Sequence, residues 1–141
     1  VDLNRVIAMC LVHDWGEAVT GDIPTFYKTE EDEKTEEEAI AALCAQAGEY
    51  YVNIFVEMKE LRTPEARLWK ALDKLEAVIS HNEADISSWL PMEHEFNCIY
   101  GTEECGQFPF LKELRELARL ESVEKVKGLG QRVNETAPEN P

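Results

Sequence analysis

One histidine and two carboxylates occur close together near the start of the chain: His13, Asp14 and Glu17. An imidazole and a carboxylate together are a common ligand set for borderline or hard divalent metals such as Zn, Mn, Co and Mg. In a helix over 3–19, Glu17 would lie one turn beyond the pair and on nearly the same side. A carboxylate there that does not bind the metal could position or deprotonate the attacking water. The spacing therefore predicts a divalent metal site, with His13 and Asp14 as ligands and Glu17 as the acid-base group.

Two further acidic residues could join this site, one from a loop and one from a second helix. Asp22 lies in the loop that Gly21 and Pro24 impose after the first helix. Asp73 lies within a predicted helix over 64–83, beside an apolar stripe that would face the core. From that position Asp73 could supply a further oxygen ligand.

The His-Asp pair also has a plain structural interpretation, because such dipeptides recur by chance and Asp can simply bond a nearby loop. Helical periodicity argues against it, since it places both residues among apolar ones. One predicted inward stripe contains Leu3, Ile7, Leu11, Asp14 and Ala18, and its neighbour contains Val6, Cys10, His13 and Glu17. A carboxylate on an inward face is costly unless a positive group meets it, and a divalent metal would do so.

Helical periodicity runs through most of the chain, and no strand pattern competes with it. Helices are predicted at about 3–19, 31–47, 49–61, 64–83 and 109–127. Residues 20–29 are predicted to form a loop beside the site, with irregular connections near 84–92 and 101–108. The acidic run over 30–38 is typical of a solvated helix start. The sequence thus predicts one all-α domain over 1–127, followed by a flexible tail over 128–141.

The charge of the chain limits its partners. It has 29 acidic against 14 basic residues among 141, a formal net charge of -15. Extended nucleic acid and an anionic membrane are therefore unexpected partners, since both require a basic surface. No apolar run approaches the roughly 20 residues of a membrane span, and no targeting segment is recognised. Cys10, Cys44, Cys98 and Cys105 form no Cys-x-x-Cys pair, so reduced core thiols and a cytoplasmic location are expected.

Two segments together resemble the HD-domain metal-dependent phosphohydrolases, and more narrowly the branch that hydrolyses deoxynucleoside 5′-monophosphates. They are His13-Asp14-Trp15-Gly16-Glu17-Ala18-Val19-Thr20-Gly21-Asp22-Ile23-Pro24 and Ala71-Leu72-Asp73-Lys74-Leu75-Glu76, with His81-Asn82-Glu83 nearby. The similarity extends over about 2–126. It implies a bundle of five or six helices around one divalent metal ion, with Mn, Co, Zn, Fe and Mg all open as its identity.

The resemblance also implies roles for individual residues. His13, Asp14 and Asp73 match the second, third and fourth metal ligands of the family. Glu17 would handle the proton of the water or of the leaving group. Asp22 would contact the sugar or order the water, and Thr25 would add a hydroxyl contact. The implied substrate is a small molecule, a deoxynucleoside 5′-monophosphate, and the products are a deoxynucleoside and phosphate.

The family's first ligand, a His on an earlier helix, has no counterpart among the twelve residues before His13. The chain is therefore expected to be a fragment or a truncated product, and His81 is not expected to replace that ligand. Without the earlier helices, Val6, Ile7 and Leu11 should be partly uncovered and the chain should form a homo-oligomer, with a dimer expected. The alternative function is a catalytically silent helical interaction module derived from such an enzyme.

Overall fold

The computed structural model of the chain describes residues 1–24 and 26–135, with side chains as far as Leu129. These residues form helices, turns and loops without any β-strand, which confirms the predicted all-α fold. The backbone forms two compact units, Val1–Trp69 and Lys70–Pro141. The single domain over 1–127 stays a prediction.

The first unit contains four helices and the beginning of a fifth: α1 (Leu3–Val12), α2 (Glu17–Thr20), α3 (Glu30–Ala47), α4 (Glu49–Glu60) and α5 (Pro64–Glu83), which continues into the second unit. Local signals explain where they start. The Asp2 side chain accepts from the N–H groups of Asn4 and Arg5 at the start of α1. Thr29 and Asp32 form a capping box at the start of α3. The bounds of α3, α4 and α5 lie within one residue of those predicted.

The core of the first unit forms where α1 packs on α4, and where α3 packs on both α4 and α2. Its buried apolar residues are Val6, Met9, Val12, Ile40, Cys44, Ile54, Met58 and Trp69. An ion pair between Arg5 Nε and Glu57 Oε2, 3.0 Å apart, joins α1 to α4 at the edge of this core. Cys44 is a buried free thiol as expected, but Cys10 is exposed, so its predicted core position was wrong.

The first helix is shorter than predicted and buries a different face. It ends at Val12, and residues 13–16 form turns. The predicted inward stripe was wrong, because Leu3, Ile7 and Leu11 are 65%, 57% and 66% exposed. The side chain of Asp14 is also 58% exposed. The helix is apolar on most sides, so its periodicity alone did not identify the face that packs on α4.

The second unit contains the remainder of α5, a 3-10 turn at Ile86–Ser88, and helices α6 (Pro91–Ile99), α7 (Thr102–Gly106) and α8 (Pro109–Glu135). Helix α8 packs against both α6 and α7. The connections predicted to be irregular therefore contain short helices. Helix α8 also continues through residues 128–135, which were predicted to belong to the flexible tail. The last residues of the predicted tail, 136–141, lie outside the described part of the chain. In the described residues, no helix is both long enough and apolar enough to cross a membrane.

Gly16 permits the close approach of α2 to α3. A Cβ at this position would lie 2.6 Å from Cγ and 2.8 Å from the backbone oxygen of Glu36, and 2.9 Å from Cγ1 of Ile40. These distances are shorter than van der Waals contact, and a helix backbone oxygen cannot move aside alone. Position 16 therefore requires the absence of a side chain, although its φ of -60° suits any residue.

We expect Gly16→Ala to destabilise the protein by about 1–3 kcal/mol, the usual cost of overpacking, because α2 would have to move away from α3. Urea denaturation followed by circular dichroism measures the change. Gly128→Ala is the matched control, since a Cβ there meets nothing within 4 Å. In a helix interior that replacement should stabilise by about 0.5–1 kcal/mol. A loss of the same size in both variants would contradict the steric argument.

Candidate functional site

The imidazole of His13 is fixed by contacts on both of its nitrogens. Nδ1 lies 2.8 Å from the backbone oxygen of Cys10, and Nε2 lies 3.0 Å from Oδ1 of Asp14. The ring also meets the indole of Trp69 edge-on, with 5.9 Å between centroids. A carbonyl oxygen only accepts hydrogen bonds, so Nδ1 must carry a proton and donate it. In the neutral ring, the lone pair is then on Nε2, on the side of Asp14.

This geometry suits a cation. In the neutral form of His13, the lone pair of Nε2 and the carboxylate oxygen of Asp14 repel each other at 3.0 Å. A proton on Nε2 or a positive ion shared by the two atoms removes that repulsion. A histidine that donates one N–H to a backbone carbonyl is also the usual arrangement of a metal-ligating histidine. The nitrogen-oxygen donor set therefore fits a divalent metal ion.

Glu17 begins α2, and its backbone N–H donates to the Asp14 backbone oxygen at 3.0 Å. Burial is the largest cause that raises the pKa of its carboxyl above the usual range. The negative charges of Asp14, Asp22 and Glu36 raise that pKa further. Lys28 acts in the opposite direction. A carboxyl with a raised pKa holds its proton more tightly than a solvated one, which suits a group that gives a proton to a leaving atom.

Lys28 and Glu36 belong to this neighbourhood, although their residue types and spacing did not predict them as site residues. They form an ion pair, with side chains only 22% and 15% exposed. Glu36 belongs to the acidic run that was predicted to be solvated. In the structure, however, its Cγ and its backbone oxygen pack against Gly16. One signal was available, since Lys28 is the only Lys or Arg between Arg5 and Lys34.

The remaining predicted site residues are Asp22, Thr25 and Asp73, which lie in different parts of the chain. Asp22 is exposed, in the loop after α2, and its charge acts on Glu17. Thr25 lies outside the described residues, so its substrate contact stays a prediction. Asp73 lies in the second unit, on α5, where it is half-buried and accepts a hydrogen bond from Lys70 Nζ at 2.8 Å. Its predicted position at the border of the core agrees with this partial burial.

In residues 1–24 and 26–69, and again in residues 70–129, no three His, Cys, Asp or Glu side chains are grouped so that they could hold a metal ion. His81, which was not expected to be a ligand, packs on Trp89 in the second unit with ring centroids 4.3 Å apart. The His13-Asp14 pair thus offers two candidate ligand atoms, Nε2 and Oδ1, and the complete ligand set stays a prediction.

Comparison with protein families identifies the chain. The profile described as "HD domain" matches residues 1–109, which include the His13-Asp14 pair, Glu17 and Asp73. The chain belongs to the HD domain family. This confirms the resemblance that the sequence motifs indicated, and it accounts for an all-helical structure in the matched region.

Two curated HD domain relatives carry the same activity in their names. A Dictyostelium discoideum protein named 5′-deoxynucleotidase HDDC2 is 32% identical over 89 residues, covering 59% of this chain and 47% of the relative. A Schizosaccharomyces pombe protein named 5′-deoxynucleotidase hdd1 is 27% identical over 124 residues, covering 81% of this chain and 57% of the relative. The chain thus spans about half the length of these relatives. No solved structure matches it significantly.

The raised pKa of Glu17 gives a prediction about stability in metal-free protein. A carboxyl with a raised pKa binds its proton more tightly in the folded state than in the unfolded state. Its charged form therefore disfavours folding above the folded-state pKa, and this penalty disappears as the pH falls below the unfolded value. We expect Glu17→Gln to be more stable than the parent protein at pH 8, by a margin that shrinks toward pH 4.

Urea titrations in the presence of a chelator, repeated across this pH range, measure that margin. Glu38→Gln is the control for loss of one negative charge from the acidic surface, because the Glu38 side chain is 72% exposed. It should produce a smaller gain at pH 8. An equal gain from both variants would show that the net charge, and not the surroundings of Glu17, sets the effect.

Proposed function

We propose that the chain is the metal-dependent phosphomonoesterase region of a protein that hydrolyses deoxynucleoside 5′-monophosphates to a deoxynucleoside and phosphate. The observation that carries the proposal is the orientation of His13, with Nδ1 on the Cys10 carbonyl and Nε2 beside Asp14. The position of Glu17 three residues later supports it, as do the names of the two curated relatives.

The metal ligands in this proposal are His13 and Asp14, with Asp73 added by the family resemblance. A mixed set of imidazole and carboxylate suits Mn, Co, Zn, Fe and Mg to different degrees, and one divalent ion of this group is proposed. When bound, such an ion polarises a phosphoryl oxygen and makes water a stronger nucleophile. The Cys10 carbonyl contributes by fixing the His13 tautomer, so that Nε2 keeps its lone pair for the metal.

Glu17 is proposed to move the proton during hydrolysis. Water attacks phosphorus, the bond from phosphorus to the sugar oxygen breaks, and the leaving oxygen must gain a proton. The carboxylate of Glu17 takes a proton from the attacking water, and the carboxylic acid then delivers it to the leaving oxygen. Its raised pKa favours the protonated form, which delivers the proton to the leaving oxygen. Asp22 is proposed to contact the sugar or to order the water.

Substitutions at Glu17 and Asp73 separate proton transfer from metal binding. We expect Glu17→Ala to keep its metal while its hydrolysis rate falls by about 10²–10⁴-fold, the scale of a positioned acid-base group. Asp73→Ala should lose both metal and activity, because a ligand is removed. Metal analysis and hydrolysis of a deoxynucleoside 5′-monophosphate are measured on the same preparations of the full-length protein.

Glu38→Ala, which removes an exposed carboxylate from α3, is the control and should match the parent protein in both measurements. Full activity in Glu17→Ala would remove Glu17 from the mechanism, and loss of its metal would make it a ligand. Retained metal in Asp73→Ala would exclude Asp73 from the ligand set.

A second candidate function, a catalytically silent interaction module, is favoured by one observation. Leu3, Ile7 and Leu11 form an exposed apolar stripe along α1, whereas Val6 beside them is buried. A contiguous apolar stripe of this kind is typical of a surface that associates with another chain. The predicted homo-dimer would use the same stripe, so association by itself does not exclude the enzyme.

We expect the chain to self-associate through this stripe and Leu11→Glu to be monomeric, because the new charge would be buried by association. Sedimentation velocity of both proteins at equal concentrations measures this. Leu117→Glu, on an exposed position of α8, is the control and should sediment like the parent protein. A parent protein that stays monomeric at high concentration would contradict the prediction.

A further inference from the structure

The surroundings of Glu17 are strongly negative. The charges that act on it from nearby include Asp14, Asp22 and Glu36, and Lys28 opposes them. A phosphomonoester carries up to two negative charges near neutral pH, so these carboxylates repel it. A site of this kind needs positive charge beyond the metal ion if it is to bind a phosphoryl group.

Lys28 is the positive group that the fold places there. Its backbone is fixed by a turn, since the N–H groups of Tyr27 and Lys28 donate to the Pro24 oxygen at 2.8 and 3.2 Å. Its ammonium group pairs with Glu36, and both side chains are largely buried. Glu36 in turn packs against Gly16, directly before Glu17. Two successive contacts, Lys28 to Glu36 and Glu36 to Gly16, therefore connect the ammonium of Lys28 to the turn before the proposed acid-base group.

Other cations of the first unit are committed elsewhere. Arg5 pairs with Glu57 between α1 and α4, and Lys59 pairs with Glu37. The side chain of Lys34 is 67% exposed on α3. Lys28, in contrast, is held by Glu36, and Glu36 also packs against Gly16 in the turn before Glu17.

We propose that Lys28 binds the phosphoryl group of the substrate, and that Glu36 holds its ammonium in place until the phosphoryl group replaces the carboxylate as its partner. The proposal rests on the phosphomonoesterase function proposed above and adds the residue that recognises the phosphate. A phosphoryl dianion attracts an ammonium more strongly than one carboxylate does, and this attraction drives the exchange.

The charge state of Lys28 agrees with this role. Burial alone would lower the pKa of Lys28, but the hydrogen bond and charge of Glu36, helped by Glu17 and Glu33, raise it above the ordinary value. The side chain is therefore a cation throughout the neutral pH range. A lysine with a lowered pKa would lose the charge that phosphate binding requires.

The first test is steady-state kinetics on the full-length protein with a deoxynucleoside 5′-monophosphate. We expect Lys28→Met to raise KM, and the inhibition constant of inorganic phosphate, by about 10–100-fold, the scale of one charge-assisted hydrogen bond. Because the contact is made in the ground state and kept in the transition state, kcat should change by less than about threefold. Lys28→Arg should recover most of the binding, since it keeps the charge.

Lys34→Met is the matched control, because it removes one positive charge from the same unit at an exposed position. It should leave KM and phosphate inhibition at the parent values. Equal effects of Lys28→Met and Lys34→Met would overturn the proposal in favour of net charge. A fall in kcat at unchanged KM in Lys28→Met would also overturn it. Lys28 would then affect catalysis only by positioning Glu17 or the turn over residues 13–16, and not by binding phosphate.

A second measurement does not depend on activity or on the folding of Lys28→Met. Reductive ¹³C-methylation of the lysines of the parent protein, with Lys28→Arg used to assign the Lys28 signal, reports which ammonium meets added inorganic phosphate. The Lys28 signal should shift with saturation, and the Lys34 signal should not. If the parent protein hydrolyses no phosphomonoester but the Lys28 signal shifts, the proposed function fails and phosphate binding stands. If hydrolysis occurs without such a shift, the Lys28 proposal alone fails.

Discussion

The contact between Gly16 and α3 is the constraint on which the geometry of the turn over residues 13–16 depends. With no side chain at residue 16, the turn after α1 lies directly on the backbone of Glu36 and on Ile40. That contact sets where Glu17 begins α2, and it places the carboxylate of Glu36 where it can pair with Lys28. A short-range steric requirement at one glycine thus determines how several charges are arranged.

The carboxylates brought together around Glu17 do not stabilise the folded state. Glu17 keeps a raised pKa because burial and neighbouring carboxylates disfavour its charged form, so its ionisation opposes the folded state. The apolar contacts of Met9, Val12 and Ile54 lie in the same unit and are fully buried. Burial of such side chains contributes about 1.5–3 kcal/mol each, which can offset the cost of one unfavourable carboxylate. Strain of this kind is common where a fold is used for chemistry.

Much of the fold could be predicted from local signals, and the failures have physical reasons. Thr29 with Asp32 and Pro64 mark the starts of α3 and α5 clearly. The break after Val12 has no such signal, because the hydrogen bonds change register instead: Trp15 bonds Val12, and Glu17 bonds Asp14, three residues back. Asp14 is exposed together with Leu3, Ile7 and Leu11, because the predicted inward stripe lies on the side of α1 away from the core. Each residue involved is also compatible with a continuous helix, so only packing decides.

The site residues also divide into those that local sequence signals predict and those that only packing determines. The types and spacing of His13, Asp14 and Glu17 were sufficient to predict a metal and acid-base site, and their roles stay a prediction. The packing of Glu36 could not be predicted, because a carboxylate in an acidic run has no sequence feature that distinguishes a packed residue from a solvated one. What separates Glu36 from its neighbours is the glycine opposite it, twenty residues earlier in the chain. Such a pairing is a tertiary property.

The second unit uses its buried polar groups for structure. Asn82, which lies in one of the resembling segments, donates to the Ala118 oxygen at 2.8 Å and accepts from Asn97 and Ser122. Arg115 donates to the oxygens of Tyr100 and Asn97 at the end of α6, at 2.7 and 3.0 Å. A cation suits that position because the last carbonyls of a helix carry partial negative charge. The side chains of Asn82, Asn97 and Ser122 bond one another, so a polar residue near a family motif can serve packing. Proximity in sequence to Asp73 does not make Asn82 part of the chemistry.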